Sequence, residues 1–307
     1  MIVLFLKRIV VIFMALISLF NAKSTGNYAD YCGDFDFPRI AADNQKPGTT
    51  RIMSYNIRCA DVNGVQVSDR IDIAIRQIKE VMPDSLGIQE ATPEWMKALD
   101  KELSLYGWVG LDREKGVSPL KNGESCPIFY LKAKYTLEDS GNFWISDTPD
   151  VPSKGPGAGC IRICTWVKLK DRLTGKEFVH VNTHYDHVSE EARVQGALIV
   201  TRFINEHFSG LPIVFTADMN TTEKGEAYAT MTENLTDARF AAEDCKTYGT
   251  FHAGKNPADN EDYYIDFLLC SDKFEPAAYR TVTKGVDNRF TSDHFPIYAD
   301  LILRSRA

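Results

Sequence analysis

KEFVHVNTHYD (176–186) and PIVFTADMN (212–220), with a helix-spaced stretch from Ser189 to about His207 between them, decide how this chain folds. Both runs are rich in β-branched and aromatic residues, turn residues bound them, and each ends on polar side chains. Between them Ala192, Ala197, Val200 and Ile204 give a weaker helical repeat behind Ser189. Runs of the first kind recur in both directions. Upstream lie RIMSYNI (51–57), SLGIQE (85–90), WVGL (108–111), CPIFYL (126–131), YTLEDSGNFWIS (135–146) and RICTWVKLKD (162–171). Downstream lie YYIDFLLCSD (263–272), AAYRTVT (277–283) and FPIYADLIL (295–303). Helical spacing is sparser: Ile71, Ile75, Ile78 and Met82 share a face behind Ser68 as the predicted cap, and Pro93-Glu94-Trp95 opens a further helix. About a dozen strands with a few helices between them predict two stacked sheets with helices outside, in one domain over 51–304.

The composition of the 307 residues, 44% apolar and 25% charged, excludes collagen, coiled-coil and disordered classes. The net charge of −7 hides an asymmetry. Residues 1–24 carry Lys7, Arg8 and Lys23, no acids, and the apolar run IVVIFMALISLF, the pattern of a secretory signal peptide. Without them 32 bases face 42 acids, a charge of −10. The expectation is a secreted or periplasmic protein, membrane-tethered if the leader stays uncleaved, with 25–50 a loosely attached lead-in. Such acidity disfavours a long nucleic-acid track held by counterion release. Seven cysteines (32, 59, 126, 160, 164, 245 and 270) show no zinc spacing, and an odd number leaves at least one thiol free. Cys59, Cys126, Cys164 and Cys270 lie in or beside strands and read as small buried apolar residues.

Polar residues recur where the apolar part of each strand stops. Asn56 follows MSY, Glu90 follows LGIQ, His184 follows VNT, Asp218 and Asn220 follow IVFTA, Asp266 interrupts YYI and FLL, and Asp293-His294 precedes FPIYADL. Each alone suits a turn. Together they offer carboxylates, amides and two imidazoles, a donor set that suits Mg²⁺ or Mn²⁺ and metal-assisted phosphoester hydrolysis.

In family order, MSYNIR (53–58), IQE (88–90), NTH (182–184), ADMN (217–220), YIDF (264–267) and SDHFP (292–296) resemble the motifs of the endonuclease/exonuclease/phosphatase superfamily of metal-dependent phosphoesterases. The resemblance implies a four-layer α/β sandwich: two stacked, mostly antiparallel sheets flanked by helices. It makes Glu90 the principal metal ligand, Asn56 a contact to metal or phosphate, and Asp293 a second metal-side carboxylate. Asp218 and Asn220 then orient or activate the attacking water and hold the phosphate. His294 contacts phosphate or acts as base, paired with Asp266, and His184 stabilises the transition state or aids the leaving group. Asp218 and His294 both stand as candidates for the base.

Asp186 and His187 extend NTH, and Arg193 lies early on the following helix; Asp186 and Arg193 are candidate substrate contacts, set against a turn and a helix-surface ion pair. His180 shares a face with Asn182 and His184 and reads as a satisfied core histidine. Phe143, Trp144 and Trp166 read as core. Lys154, in the Pro/Gly-rich loop 148–160, and Arg162 are candidates for a second phosphate, against a solvated surface charge. The expected partner is a phosphoester, nucleic acid or small molecule, with no stable protein partner and a monomeric chain. A sphingomyelinase-like lipid phosphodiesterase ranks lower, since 253–262 (AGKNPADNED) is polar and acidic where a membrane loop should be apolar. A non-catalytic binding protein ranks lower still, because Glu90, Asp218, Asn220, Asp293 and His294 are all present.

Overall fold

The computed structural model describes residues 35–304 apart from 288. The leader and Cys32 lie outside the described residues.

In chain order the strands are β1 (Thr50–Asn56), β2 (Ser85–Gln89), β3 (Tyr106–Val109), β4 (Ile128–Leu131), β5 (Tyr135–Trp144), β6 (Ile163–Asp171), β7 (Glu177–His184), β8 (Ile213–Asp218), β9 (Thr236–Asp237), β10 (Asp244–Lys246), β11 (Asp266–Cys270), β12 (Phe274–Thr281) and β13 (Ile297–Leu303). They form a seven-stranded sheet, β10-β12-β13-β1-β2-β4-β3, and a six-stranded sheet, β5-β6-β7-β8-β11-β9. Pairing is antiparallel except at β1–β2, β10–β12 and β7–β8. Every strand run read from the sequence is present. The two- and three-residue strands β9 and β10 are additional, too short to show a period.

Alternation along each strand builds four layers. Met53, Tyr55, Leu86 and Ile88 face outward from the first sheet and pack on two helices, α1 (Val67–Val81) and α2 (Pro93–Glu102), through Ala74, Ile75, Ile78, Trp95 and Leu99. Val179, Val181, Phe215 and Ala217 do the same on the second sheet beneath α3 (Glu190–His207) and α4 (Glu226–Thr232). A one-turn helix, α5 (Ala238–Ala241), follows β9. Between the sheets Ile52, Val167, Leu169, Val214, Leu268, Ile297 and Leu301 close the apolar centre.

Two local expectations change. Ser68 does not cap α1: the N-cap is Gln66, without a side-chain bond, and Ser68 lies inside the helix. Ser189 does cap α3, accepting from the Ala192 N–H. The lead-in is not loose from Phe35 onward. Phe37 is buried against Tyr248, Phe290 and Phe295, and Pro38 O accepts from Thr283 Oγ1, which in turn accepts from Ile40 N–H. Asp43 meets the buried Arg280 guanidinium. These contacts span more than 200 residues of sequence, so no local pattern announces them.

Of the described cysteines, all six are free thiols. Cys126, Cys164 and Cys270 are buried as expected, whereas Cys59 is half-buried beside Glu90, to whose carboxylate it gives its N–H.

Candidate active site

The parallel pairs β1–β2 and β7–β8 end at the same edge of the sandwich, where the inward-facing side chains turn polar. Asn56 ends β1, Glu90 follows β2, and His184 and Asp218 stand opposite each other at the ends of β7 and β8. Asp266 opens β11 beside Asp218, and Asp293-His294 lies just before β13. Glu90 (φ 62°) and Asn220 (φ 49°) occupy the left-handed region, rare for residues with a side chain and frequent where geometry is imposed for function.

Asp218 is the hub. Its Oδ1 accepts from Asn220 N–H at 2.9 Å, and its Oδ2 accepts from Asn56 Nδ2 at 2.8 Å. The same Oδ2 stands 3.3 Å from His184 Nε2 and 3.7 Å from His294 Nε2. Asn56 Nδ2 also donates to Glu90 Oε1 at 2.9 Å, and Glu90 Oε2 accepts from Cys59 N–H. Asn220 Nδ2 donates to His184 Nε2 at 2.8 Å and to Tyr185 O at 3.1 Å. His294 Nδ1 donates to Asp266 Oδ2 at 2.9 Å. All of these side chains except that of Asn220 are almost fully buried.

Burial and neighbours separate the charge states. Burial pushes the Asp218 carboxyl well above the usual carboxylate range, opposed by the His294 imidazolium and reinforced by Asp266. Burial would strip the proton from His294, but Asp266 and Asp218 outweigh it and hold that imidazole charged above the ordinary histidine value. His184 goes the other way: burial, then the Arg162 charge, keep it neutral. Glu90 stays ionised despite its burial. The neutral His184 cannot supply the charge that would do this, so the direction rests on the Cys59 N–H and Asn56 amide donors.

Arg58 lies 3.7 Å from Glu90 Oε1 and 3.6 Å from Asp293 Oδ2, so one cation already bridges the two carboxylates expected to hold a metal. Glu90, His184 and Asp218, and separately Asp218, Asp266 and His294, present three ligand atoms within 4.8 Å of one another. The Glu90 and Asp293 carboxylates are hard oxygen donors of the kind a divalent cation takes, and Arg58 would have to give way for one to bind between them.

Eight of the ten predicted residues therefore converge: Asn56, Glu90, His184, Asp218, Asn220, Asp266, Asp293 and His294. Asp186 and Arg193 do not join the cluster. The Asp186 carboxylate accepts four backbone N–H groups, those of Gly159, Cys160, Val188 and Ser189, and so pins the loop 148–160 to the start of α3. Arg193 donates to Asp186 O. His180 is satisfied at both nitrogens by Ser85 and Thr216. Phe143 and Trp144 are buried, Trp166 packs edge-on against Phe208, and Lys154 is exposed. Arg162 is buried, donating to His187 Nδ1 at 3.0 Å.

Sequence reasoning missed the supports. Arg70, buried in α1, donates to Ile57 O, Arg58 O, Ala60 O and Thr291 O, bracing the two loops that carry Arg58 and Asp293. Ser292 Oγ donates to Asn56 O, joining those loops directly. Glu124, bonded to Arg113, lies beside Glu90 and Cys59. Only Ser292 stood inside a recognised motif.

The family model described as "Endonuclease/Exonuclease/phosphatase family" matches residues 53–294. Among solved structures, an endonuclease/exonuclease/phosphatase from Bacteroides vulgatus is 36% identical, with a TM-score of 0.78 over 83% of this chain and 99% of that one. A mannosyl-6-phosphatase of Bacteroides thetaiotaomicron is 30% identical, with a TM-score of 0.76 over 82% and 99%. D. rerio TDP2, complexed with a single-strand DNA product, is 17% identical over 82% and 98% with a TM-score of 0.65, a likeness of fold.

Proposed function

The chain belongs to the endonuclease/exonuclease/phosphatase family, whose members are hydrolases acting on phosphoesters, and from that premise we propose that it is a divalent-metal-dependent phosphoester hydrolase attacking phosphorus with water. The observation that carries this reading is the single hydrogen-bonded cluster in which Asp218 touches Asn56, His184, Asn220 and His294 at once.

Asn56, Glu90 and Asp293 would hold the ion, with Mg²⁺ or Mn²⁺ as the candidates. When bound, the ion offsets charge developing on the phosphoryl oxygens. The chain's own groups divide the remaining work. Asp218, its affinity for a proton raised by burial, accepts the proton of the attacking water, and Asn220 fixes the direction of approach. His294 already carries its proton and is unsuited to be the base; it donates to a phosphoryl oxygen, held charged by Asp266. His184 stays neutral and contributes a positioned dipole.

For substrate we favour a small phosphorylated molecule over a polynucleotide. The acidity of the chain beyond the leader, −10, supports this, as does the similarity to a mannosyl-6-phosphatase. Export of the chain is part of the same reading, resting on residues 1–24.

The test presents the purified protein, with Mg²⁺, Mn²⁺ or chelator, with p-nitrophenyl phosphate, bis-p-nitrophenyl phosphate, sugar phosphates and plasmid DNA. Chelator-sensitive turnover, strongest on monoesters and reduced by at least about 100-fold in Glu90→Ala and His294→Ala, is expected. Absence of turnover on every phosphoester by a folded, metal-binding protein overturns the reading.

A further inference from the structure

One register below the site, between the sheets, lies a continuous layer of uncharged polar side chains. Ser54 precedes Asn56 by two residues, Asn182 precedes His184 by two, and Thr216 precedes Asp218 by two, so each shares a strand face with a site residue about 7 Å away. Gln89 immediately precedes Glu90. All four are buried.

Asn182 is the centre of the layer. From the second sheet its two Nδ2 hydrogens reach three carbonyls on the first-sheet side, Ile88 O at 2.8 Å, Pro127 O at 3.1 Å and Cys126 O at 3.2 Å, so one hydrogen is shared between two of them. Its Oδ1 therefore faces Gln89 and accepts from Gln89 Nε2 at 2.7 Å, while Gln89 Nε2 also donates to Ser54 Oγ at 3.1 Å. Thr216 Oγ1 lies 3.0 Å from Asn182 Oδ1 and 2.8 Å from His180 Nε2, and His180 Nδ1 lies 2.7 Å from Ser85 Oγ.

Counting protons fixes the direction of this chain. A hydroxyl has one hydrogen. If Thr216 gave it to His180, two oxygen lone pairs would face each other at 3.0 Å across Thr216 and Asn182. With the hydrogen on His180 Nε2 instead, His180 donates to Thr216, Thr216 donates to Asn182, and Ser85 donates to His180 Nδ1. All three short contacts are then satisfied, and only the longer Ser85–Phe129 O contact of 3.2 Å is given up. Burial lowers His180 to about 3, so the neutral Nε2–H ring persists at any working pH. Gly87 completes the fit, because a Cβ there would stand 2.2 Å from Thr216 Oγ1 and 2.5 Å from Asn182 Oδ1.

We propose that Asn182, driven by Thr216 and His180, is a positioning residue: it sets the register between Glu90 on one sheet and His184 and Asp218 on the other. This rests on the phosphoesterase reading for its catalytic consequence, but not for its geometry. Asn56, Glu90 and Asp293 all belong to the first sheet or the loops at its edge. Loosening the layer therefore leaves the ion's own ligands together and displaces them from the groups that orient water and phosphate. A displacement near 1 Å is enough to cost about 100-fold in rate.

The test uses full-length Thr216→Val, which removes the hydroxyl at nearly constant shape, with Thr216→Ser as the conservative control. Four quantities are read: the ¹⁵N tautomer of His180, Mn²⁺ affinity by electron paramagnetic resonance, Mn²⁺-induced broadening of the His184 ring signals, and kcat with KM. In wild type and Thr216→Ser, His180 carries its hydrogen on Nε2. In Thr216→Val, Mn²⁺ affinity stays within about twofold, His184 broadening changes, and kcat falls about tenfold or more with KM within about threefold; Thr216→Ser stays within about twofold throughout. Unchanged broadening and kcat in folded Thr216→Val overturn the proposal, as does loss of Mn²⁺ affinity and thermal stability without a change in broadening. If the wild type hydrolyses no phosphoester, the function reading fails on its own, and the broadening comparison alone decides the register.

Discussion

Replacing Asp266 by Asn keeps the shape of the site and removes one charge, and the consequence for pH dependence can be worked in sign and size. His294 Nδ1 donates to Asp266 Oδ2 at 2.9 Å, and the two next acids, Asp218 and Asp293, stand 3.7 and 4.0 Å from Nε2. In the proposed mechanism the imidazolium is the donor, so activity is expected below the His294 pKa and is lost as pH rises through it. In the same mechanism Asp218 acts as carboxylate, so activity is expected to be lost as pH falls through its raised pKa. A hydrogen bond to a charged partner contributes about 1.5–3 kcal/mol and a neutral one about 0.5–1.5, so losing the charge costs about 1–1.5 kcal/mol, and one pH unit corresponds to about 1.36 kcal/mol. The alkaline limb of kcat/KM in Asp266→Asn should therefore move down by about 1 unit. Asp266 also raises the Asp218 pKa by repulsion, so the acid limb should move down as well, shifting the whole bell toward acid. The assay is kcat/KM against pH for the two proteins with metal held saturating. An alkaline limb that moves by less than about half a unit, or limbs that move in opposite directions, would refute the assignment of donor and base.

Three further outcomes are expected. Phe37→Ala should destabilise the protein by about 3 kcal/mol, lowering its melting temperature by about 6–12 °C in a thermal scan; an unchanged midpoint would contradict the packed lead-in. Asp186→Ala strips an acceptor from four backbone N–H groups, so amide exchange at 157–160 and 187–190 should accelerate by about tenfold or more while the remaining core is unaffected. Dialysis against chelator should abolish turnover without unfolding the chain, and readdition of Mg²⁺ or Mn²⁺ should restore it; full activity after exhaustive chelation would remove the metal from the mechanism.

The sequence made the strands legible because burial on both faces of each sheet fills them with β-branched and aromatic residues, and because turns interrupt these runs. It made the convergent polar residues legible because they follow those strands directly. Asn182 shared a face with His184 on the same evidence, although nothing in one sequence shows that Ile88, Cys126 and Pro127 would offer it their carbonyls. Arg70 reads as one more charge on an amphipathic helix, since its four partners are main-chain oxygens from loops distant in sequence. Asp186 looked like a substrate group for a related reason: a carboxylate satisfied by backbone amides has no partner side chain to betray it. The lead-in looked loose because its anchoring aromatics, Phe290 and Phe295, lie at the other end of the chain.

The neutral layer between the sheets also bears on how such a protein changes its trade. Asn56, Glu90, His184 and Asp218 hang within one or two residues of a hydrogen-bonded rung, whereas the segments 115–122, 148–158 and 253–262 lie outside the named strands. Those segments are interchangeable parts in a sense the rungs are not. Grafting them from a relative with another substrate should exchange what the protein recognises while leaving Glu90, His184 and Asp218 in alignment, and the same graft carried inward past Gln89 or Asn182 should forfeit both.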